Sequence, residues 1–317
     1  MTELLVDKTT LPDVAVVLIT YNHEAFISQS IESVLTQDYG GRIHLVIADD
    51  ASTDGTRASI CETIERAPGN VIVHPVLRER NVGGYQNLAD AWKTANESGS
   101  SYIAILEGDD YWTDLRKLAL QVDHLEHHVE ATISFGLASE LILFEDPPSS
   151  KVVVLPPTAQ PTFYDLLGRN FVSTCTVLYR AGVLRSFPEW FAQCAFRDWP
   201  LHLVHASVGD MHFLDSVVAV HRQHEQSRWW TPSRGQRDRV SATEAVQRLA
   251  AANLGAELRI RRGQLVAARH IWRAGASRNR AERIAHLALA TTLDPRRAAR
   301  RMRRGGPPQL SSSARQP

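Results

Sequence analysis

Three carboxylates lie close together where an apolar segment ends in the middle of the chain. The stretch YIAILEGDDYW, residues 102–112, is typical of a buried strand and then presents Glu107, Asp109 and Asp110. Neighbouring carboxylates repel one another unless hydrogen-bond donors or a cation offset their charge. Mg²⁺ and Mn²⁺ bind one or two protein carboxylates together with phosphate and water. The stretch therefore predicts a metal site, with a solvated turn that caps a helix as the alternative.

A second acidic pair follows another apolar segment. In IADDASTDGT, residues 47–56, Asp49 and Asp50 come directly after the segment, and Asp54 is typical of a helix start. Capping is the alternative for this pair too. Both acidic pairs would lie at strand ends of one sheet, beside the polar TYNH that ends the first apolar segment. Burying so many hydrogen-bond acceptors in one pocket costs free energy unless a ligand binds them. Together they favour a ligand site.

Short apolar segments rich in β-branched residues alternate with helical stripes in the first third of the chain. This alternation predicts a parallel sheet covered by helices, in which ligands bind beyond the carboxyl ends of the strands. A helix is expected behind a Thr113 cap, and a proline-rich surface loop is expected over 146–161. The predicted strands are 14–20, 43–48, 71–76, 102–106, 131–144, 174–180 and 211–222, with a further helix near 198–208.

Charge is divided unevenly along a chain of 317 residues whose net charge is zero. Residues 234–317 contain 19 arginines and five acidic residues, so the remainder is acidic. Such asymmetry marks a boundary between a folded domain and an interaction tail. We predict an N-terminal arm over 1–12, a main domain over 13–232, a basic helical extension over 233–305 and a disordered tail over 306–317.

Composition limits the cellular setting. The sequence has no apolar run of 18 residues, and its acidic N-terminus lacks a hydrophobic signal core. Three widely spaced cysteines suggest neither a disulfide framework nor a zinc site, so a reducing cytoplasm is expected. The basic extension could be a solvated helical pair or a surface that touches the anionic inner face of the membrane. Nucleic acid is not expected as a partner, because no recognised module accompanies the charge.

Six blocks in order resemble the family 2 nucleotide-sugar glycosyltransferases of GT-A fold, in the type that builds bacterial surface polysaccharides. The resemblance covers residues 13–230 and implies an α/β fold, a Rossmann-like and mostly parallel sheet flanked by helices. The helical spacing of the Ala-, Leu- and Arg-rich residues 242–293 predicts an all-α C-terminal extension after it. It also implies an inverting transfer from a nucleotide-sugar, with a UDP-sugar favoured, to a hydroxyl of a glycan or lipid-linked acceptor. The blocks are VVLITYNHEAFISQSIESVLTQ, VIADDASTDGT, RNVGGYQN, EGDDYW, FRDWPLHL and VHRQH.

The resemblance assigns a nucleotide-sugar site. Asp50 matches the residue that accepts a hydrogen bond from the uracil ring, Asp109 the residue that meets the ribose, and Asp110 the ligand of the metal held by the diphosphate. Glu107 stands where relatives often have Asp, so we do not expect it to bind the metal directly. The other positions expected around the nucleotide are Thr20, Tyr21, Asn22, Asn81, Gly83, Gly84 and Asn87.

The resemblance also assigns the chemistry. Asp198 matches the general base that takes the proton of the acceptor hydroxyl, with a helix cap as the alternative. His224 matches a further ligand of Mn²⁺ or Mg²⁺, and Arg222 or Arg228 would stabilise the leaving diphosphate. Trp229 and Trp230 are either a lid over the sugar or core residues. A non-catalytic nucleotide-sugar-binding or membrane-surface scaffold is the alternative function, whereas a Rossmann dehydrogenase would need a GxGxxG motif that is absent.

Overall fold

A computed structural model describes residues 11–152, 155–194 and 197–225, together with the three helical positions Gln247, Ala250 and Leu254. The predicted arm over 1–12 lies almost wholly outside these residues. The predicted disordered tail over 306–317 lies outside them, and so does the basic extension over 233–305 apart from the three helical positions. Within the described part of the chain, no helix has both the length and the apolar character that crossing a bilayer requires.

One nine-stranded sheet organises the described residues. Its strands run in the order β3-β2-β1-β4-β8-β6-β9-β5, and β7 pairs with β6. The pairings β1–β2, β1–β4 and β2–β3 are parallel, and β8 joins β4 in the antiparallel sense. The strands are β1 (Val14–Thr20), β2 (Ile43–Asp49), β3 (Val71–Leu77), β4 (Tyr102–Glu107), β5 (Tyr111–Trp112), β6 (Ala131–Ile142), β7 (Ser149–Val152), β8 (Leu178–Arg180) and β9 (Asp210–Gln223).

Helices cover both faces of the sheet. Alternate residues of β1 enter two separate cores, with Val14, Val16 and Leu18 on one face and Ala15 and Val17 on the other. Burial on both faces explains why the central strands are continuously apolar. The helices are α1 (Ile27–Leu35), α2 (Thr56–Ile64), α3 (Gly84–Glu97), α4 (Lys117–His127), α5 (Phe163–Gly168) and α6 (Asp198–Val208), with 3₁₀ turns at Thr174–Thr176 and Glu189–Gln193.

The four N-terminal strands agree with the prediction to within one residue at each end. Their register also aligns their carboxyl ends, because Thr20 is opposite Asp49 and Ile19 is opposite Glu107. The polar residues that follow β1, β2 and β4 therefore emerge at one edge of the sheet. This alignment confirms the expected parallel arrangement and locates the place where a ligand would bind.

Three local predictions were wrong. The helix after the carboxylates begins at Lys117 rather than behind Thr113, because the backbone N–H of Thr113 bonds to Val218 of β9 and Asp114 accepts the first free N–H groups instead. The proline-rich loop contains β7, which pairs with the exposed end of β6. The segment 174–180 is not one strand, since the 3₁₀ turn at its start delays β8 until Leu178.

Candidate active site

The short strand β5 brings two distant parts of the chain to the same edge of the sheet. It follows Asp109 and Asp110 directly and pairs with β9 through Tyr111–Val220 and Trp112–Ala219. The last residues of β9 therefore lie against the two aspartates. This pairing explains how His224 can reach the carboxylate of Asp109, which lies 115 positions earlier in the sequence.

A group of three side chains at this edge could hold a divalent cation. Nε2 of His224 is 3.1 Å from Oδ2 of Asp109, and Nε2 of His23 is 3.8 Å from the same oxygen. One ligand atom from each residue lies within 4.8 Å of the other two. The side chains of His23 and Asp109 are 18% and 17% exposed, so an ion could reach them from solvent.

The protonation states of this group suit a metal. Burial lowers the pKa of His23, so its imidazole is neutral near neutral pH and can offer a lone pair. Burial opposes ionisation of Asp109, but the hydrogen bond with His224 and the charges of both histidines lower the pKa of Asp109 overall. A carboxylate with two imidazoles is a donor set that suits Mn²⁺ and, less closely, Mg²⁺.

Asp110 points into the protein rather than towards this group. It is 1% exposed, and its Oδ1 accepts a hydrogen bond of 2.9 Å from the backbone N–H of Arg222. Burial and then the charge of Asp109 raise the pKa of Asp110 well above its ordinary value. The structure thus places Asp109 beside His224 and buries Asp110. The role of Asp110 as a metal ligand stays a prediction.

Arg222 is occupied by protein groups. Its guanidinium donates a hydrogen bond of 2.6 Å to the backbone oxygen of Asp109 and another to the side chain of Gln29. The same group lies 4.3 Å from the ring centre of Tyr111, a cation–π contact. Arg222 therefore stabilises the loop that contains Asp109. Its interaction with a diphosphate stays a prediction. Arg228, Trp229 and Trp230 lie outside the described residues.

Asp50 holds the loop between β3 and α3 against the end of β2. Its two carboxylate oxygens accept from the backbone N–H groups of Val82 at 2.7 Å and Gly83 at 2.9 Å. Gly83 has a φ of +87°, a conformation that favours glycine. The buried carboxylate is thus fixed at the strand end where the resemblance expects the nucleobase.

The remaining residues of the RNVGGYQN block take different positions. Asn81 is exposed and accepts from the N–H of Gly83 at 3.0 Å, and Gly84 is the first residue of α3. Asn87 is buried and donates to the backbone oxygen of Ala48 at 2.8 Å. Asn87 therefore anchors α3 to β2. Asn81 and Gly83 lie in the loop before α3, and Gly84 begins the helix.

The end of β1 forms the opposite rim. Thr20 is buried and its hydroxyl is 3.2 Å from Nδ1 of His23, a contact that orients the imidazole. Asn22 has a φ of +56° and accepts from the N–H of Thr53. Tyr21 is 42% exposed, so its ring is available to a ligand. A Cβ on Gly108 would meet the Thr20 hydroxyl at 2.6 Å, which accounts for a glycine between the acidic residues.

Asp198 is the first residue of α6, one position inside the N-cap, and is partly exposed. It accepts from Nδ2 of Asn170 at 3.1 Å. Burial raises the pKa of Asp198, although hydrogen bonds to the carboxylate oppose the rise. Burial raises the pKa of Glu107 as well, and the charges of Asp110, Asp109 and Asp198 add to it.

Sequence reasoning missed two groups of residues in this site. His23 stands in the TYNH stretch that was noticed as polar, but its spacing gave no sign that it would meet Asp109. Asn170 and Cys175 come from a segment without a motif, and only the tertiary fold brings Asn170 to Asp198 and Cys175 to Trp112 of β5.

Comparison with known sequences gives a family and relatives. The sequence model described as Glycosyl transferase family 2 matches residues 15–187. An uncharacterised protein of Mycobacterium tuberculosis is 35% identical over 218 residues, which are 68% of this chain and 60% of that protein. The putative teichuronic acid biosynthesis glycosyltransferase TuaG of Bacillus subtilis is 30% identical over 168 residues, which are 53% of this chain and 62% of TuaG. The chain thus matches about 60% of the length of these relatives.

Solved structures agree on the fold. TarS 1-349 of S. aureus in complex with UDP-GlcNAc has a TM-score of 0.61 at 19% identity, covering 90% of this chain and 82% of TarS. The mannosyltransferase PcManGT of Pyrobaculum calidifontis, in complex with GDP-Man and Mn²⁺, has a TM-score of 0.53 at 18% identity, covering 90% and 87%. At these identities the likeness concerns the fold alone, and it confirms the expected GT-A architecture. Because the family model covers more than half of the sequence, this chain belongs to glycosyl transferase family 2.

Proposed function

We propose that the protein transfers a sugar from a nucleotide-diphosphate donor to an acceptor hydroxyl, with inversion at the anomeric carbon and with the help of a divalent cation. The observation that carries the proposal is the group formed by His23, Asp109 and His224 at the sheet edge where β1, β2 and β4 end. Asp50 adjoins it at the end of β2, where the backbone N–H of Asp50 donates to the oxygen of Thr20, and Asp198 begins α6. In the proposal, Asp50 belongs to the nucleotide rim and Asp198 is the base.

The cation would be held by His23, Asp109 and His224, with Asp110 kept as a candidate from the resemblance. Mn²⁺ is our first expectation and Mg²⁺ the second, because imidazole ligands suit Mn²⁺ better. Mn²⁺ is also the ion named in the PcManGT complex. When bound, such a cation stabilises negative charge that develops on the leaving diphosphate.

The donor would enter between the loops that follow β1 and β3. Asp50 lies at the bottom of this space for the base, and Tyr21 is exposed on one rim where it can contact a planar ring. A UDP-sugar is favoured over a GDP-sugar because the family resemblance implies it. TarS was solved with UDP-GlcNAc and PcManGT with GDP-Man, so both donors belong in the test.

In the transfer step, the Asp198 carboxylate accepts the proton of the acceptor hydroxyl while that oxygen attacks the anomeric carbon. The new carbon–oxygen bond forms on the face opposite the diphosphate, whose bond to the sugar breaks, so one displacement inverts the configuration. No covalent sugar intermediate is needed. The raised pKa of Asp198 makes it a stronger base than an exposed aspartate.

The acceptor is proposed to be a glycan or a lipid-linked glycan. TuaG, which the sequence resembles over 168 residues, is named for teichuronic acid biosynthesis. The arginine-rich residues 234–317 would then keep the enzyme at the anionic inner face of the membrane, each nearby cation adding roughly 1 kcal/mol. Cosedimentation with anionic vesicles that salt reverses would support this contact, and no sedimentation at low salt would reject it.

Thermal unfolding with a panel of donors tests the proposal. UDP-GlcNAc, UDP-Glc and GDP-Man are added with Mn²⁺ or with EDTA, because a ligand bound only by the folded state raises the melting temperature. We expect a UDP-sugar to stabilise the protein with Mn²⁺ and to lose most of this effect with EDTA. The same shift in an Asp109→Ala variant, or no shift with any donor, would count against the proposed site.

A further inference from the structure

The loop after β1 is joined to the loop after β2 by side-chain hydrogen bonds. Three successive backbone N–H groups of the first loop donate to side chains of the second: Asn22 to Oγ of Ser52 at 2.9 Å, His23 to Oγ1 of Thr56 at 2.8 Å, and Glu24 to Oδ2 of Asp54 at 3.2 Å. Two bonds run the other way, from the N–H of Thr53 to Asn22 and from that of Gly55 to Glu24. Residues 52–56 thus hold the backbone of residues 22–24.

Both loops contain a residue with an unusual backbone conformation. Asn22 has a φ of +56° and Ala51 a φ of +61°, and no other non-glycine residue in the described ranges has a positive φ. This left-handed conformation costs free energy in a residue with a side chain, and it persists where the surroundings impose it. For Asn22 the surroundings are the hydrogen bonds to residues 52 and 53.

His23 is the residue of the first loop that enters the cation group, and its backbone is fixed on both sides. Its N–H donates to the hydroxyl of Thr56, a side chain that is fully buried. Its carbonyl oxygen accepts from the N–H groups of Phe26 and Ile27, each at 2.9 Å, where α1 begins. The place of His23 therefore depends on Thr56 on one side and on α1 on the other.

The imidazole of His23 is held as well. Its Nδ1 lies 3.2 Å from the hydroxyl of Thr20, and a Cβ on Gly108 would approach the same nitrogen to 3.0 Å. The ring therefore packs against the loop that carries the carboxylates. Its other nitrogen, Nε2, faces Oδ2 of Asp109 at 3.8 Å. One nitrogen thus contacts the protein, and the other is directed at the carboxylate of the cation group.

We propose that Thr56 is a positioning residue for the cation, because its hydroxyl holds the backbone of His23 where the imidazole can bind the ion. The inference rests on the proposed function, since it assigns a supporting contact to one proposed ligand. The hydroxyl donates to Oδ1 of Asp54 at 2.5 Å, so its lone pairs are left to accept from His23. Groups that orient a metal ligand change metal affinity without touching the ion.

Thr56 also begins α2, so the variants must separate an effect on the cation from an effect on the helix. Thr56→Val keeps the shape and removes the acceptor of the His23 N–H, and Thr56→Ser keeps the hydroxyl. Thr63→Val is the matched control, because Thr63 is a buried threonine of the same helix whose hydroxyl donates to the oxygen of Ser59 at 2.6 Å. Thermal unfolding identifies a variant that does not fold, and Thr56→Ala then replaces Thr56→Val.

The first readout is the affinity for Mn²⁺, measured without turnover by paramagnetic resonance of the free ion in the presence of UDP. Thr56→Val should weaken Mn²⁺ binding roughly tenfold, because the ligand that it positions is released. Thr56→Ser and Thr63→Val should bind Mn²⁺ like the wild type. Equal affinity in Thr56→Val and wild type, or equal losses in Thr56→Val and Thr63→Val, would overturn the positioning role.

A double-mutant cycle with His23→Ala locates the effect. In that background Thr56→Val should cause no further loss of Mn²⁺ affinity, since the side chain that Thr56 positions is already gone. Losses that add in the double variant would show that Thr56 acts on the cation by another route, and they would contradict the inference.

The second readout needs no metal. In the ¹⁵N spectrum of histidine-labelled protein, the imidazole signal of His23, assigned by its loss in His23→Ala, should shift in Thr56→Val and stay in place in Thr63→Val. An unchanged signal in Thr56→Val would show that the hydroxyl does not hold His23. A wild type that binds Mn²⁺ no better than Thr56→Val would contradict the inference and leave the proposed function intact. A wild type that binds no Mn²⁺ with UDP would instead refute the proposed cation, and the inference would fall with it.

Discussion

Asp109 and His224 are separated by 115 positions in the sequence, yet Oδ2 of the first lies 3.1 Å from Nε2 of the second. The contact depends on β5, whose two residues pair with β9 directly after the acidic motif. Backbone pairing between β5 and β9 therefore holds the side chains of Asp109 and His224 next to each other.

The first prediction concerns the cation. His23→Ala and His224→Ala should each weaken Mn²⁺ binding at least roughly tenfold, because each removes a candidate ligand and leaves the carboxylate less well oriented. Paramagnetic resonance of free Mn²⁺, titrated with protein and UDP, measures the affinity directly. His127→Ala is the control, since that imidazole is 73% exposed on α4. Equal affinity in His23→Ala and wild type would remove His23 from the site.

The second prediction concerns the nucleotide rim. Asp50→Asn should destabilise the fold by about 1–3 kcal/mol, because an amide has one acceptor oxygen for the two N–H groups of Val82 and Gly83. It should also abolish stabilisation by UDP. Chemical unfolding with and without UDP measures both effects. Asn81→Ala, at an exposed position of the same loop, should keep the stability of the wild type, and a similar loss there would show that the loop tolerates no change.

The sequence predicts the first four strands well, because β1, β2 and β4 are buried on both faces and their apolar residues are continuous. The edge strand β3 is only partly buried, but its sequence still carries a run of β-branched residues. Asp50, Asp109 and Asp198 were predicted from matched blocks, and their roles stay predictions. Asp50 and Asp109 follow the ends of β2 and β4, whereas Asp198 begins α6. The geometry around them was not predictable. Whether Asp109 or Asp110 faces His224 depends on which way the chain turns into β5, and nothing local in EGDDYW fixes that choice.

The helix start at Lys117 shows a further limit of local reasoning. Thr113 is a good capping residue by type, but its backbone is already used in pairing with β9. Asn170 and Cys175 are similar cases. Asn170 contacts Asp198 and Cys175 contacts Trp112 through the tertiary fold, and no spacing in the sequence indicates either contact. Residues that act through the tertiary fold carry no signal in one sequence.

The third prediction concerns Lys117 and stability. Burial lowers its pKa to about 7, against about 10.4 in an unfolded chain. Between these values the unfolded state binds a proton that the folded state lacks, so stability from this group rises with pH, by at most about 1.4 kcal/mol per unit. Lys117→Met should lose this rise in urea unfolding at pH 7, 8 and 9. Lys93→Met, at a side chain that is 71% exposed, is the control. Parallel curves for Lys117→Met and wild type would contradict the lowered pKa.

The fourth prediction is the pH dependence of the transfer. Since burial raises the pKa of Asp198, the carboxyl should stay protonated over a wider acidic range than an exposed aspartate. Activity should fall as the pH drops through this pKa and should be complete above it, because only the ionised form accepts a proton. A profile of kcat at saturating donor and acceptor measures it. An acid limb at the ordinary value of aspartate would show that Asp198 is not desolvated in the working enzyme.

Replacement of Asp198 by Asn tests the central claim most directly, because the side chain keeps its size while losing the ability to accept a proton. Binding of the nucleotide-sugar in the presence of Mn²⁺ and transfer to an acceptor are measured on the same preparation. We predict that the donor binds with nearly the affinity of the wild type and that transfer is lost. Transfer at the wild-type rate by Asp198→Asn would contradict the account.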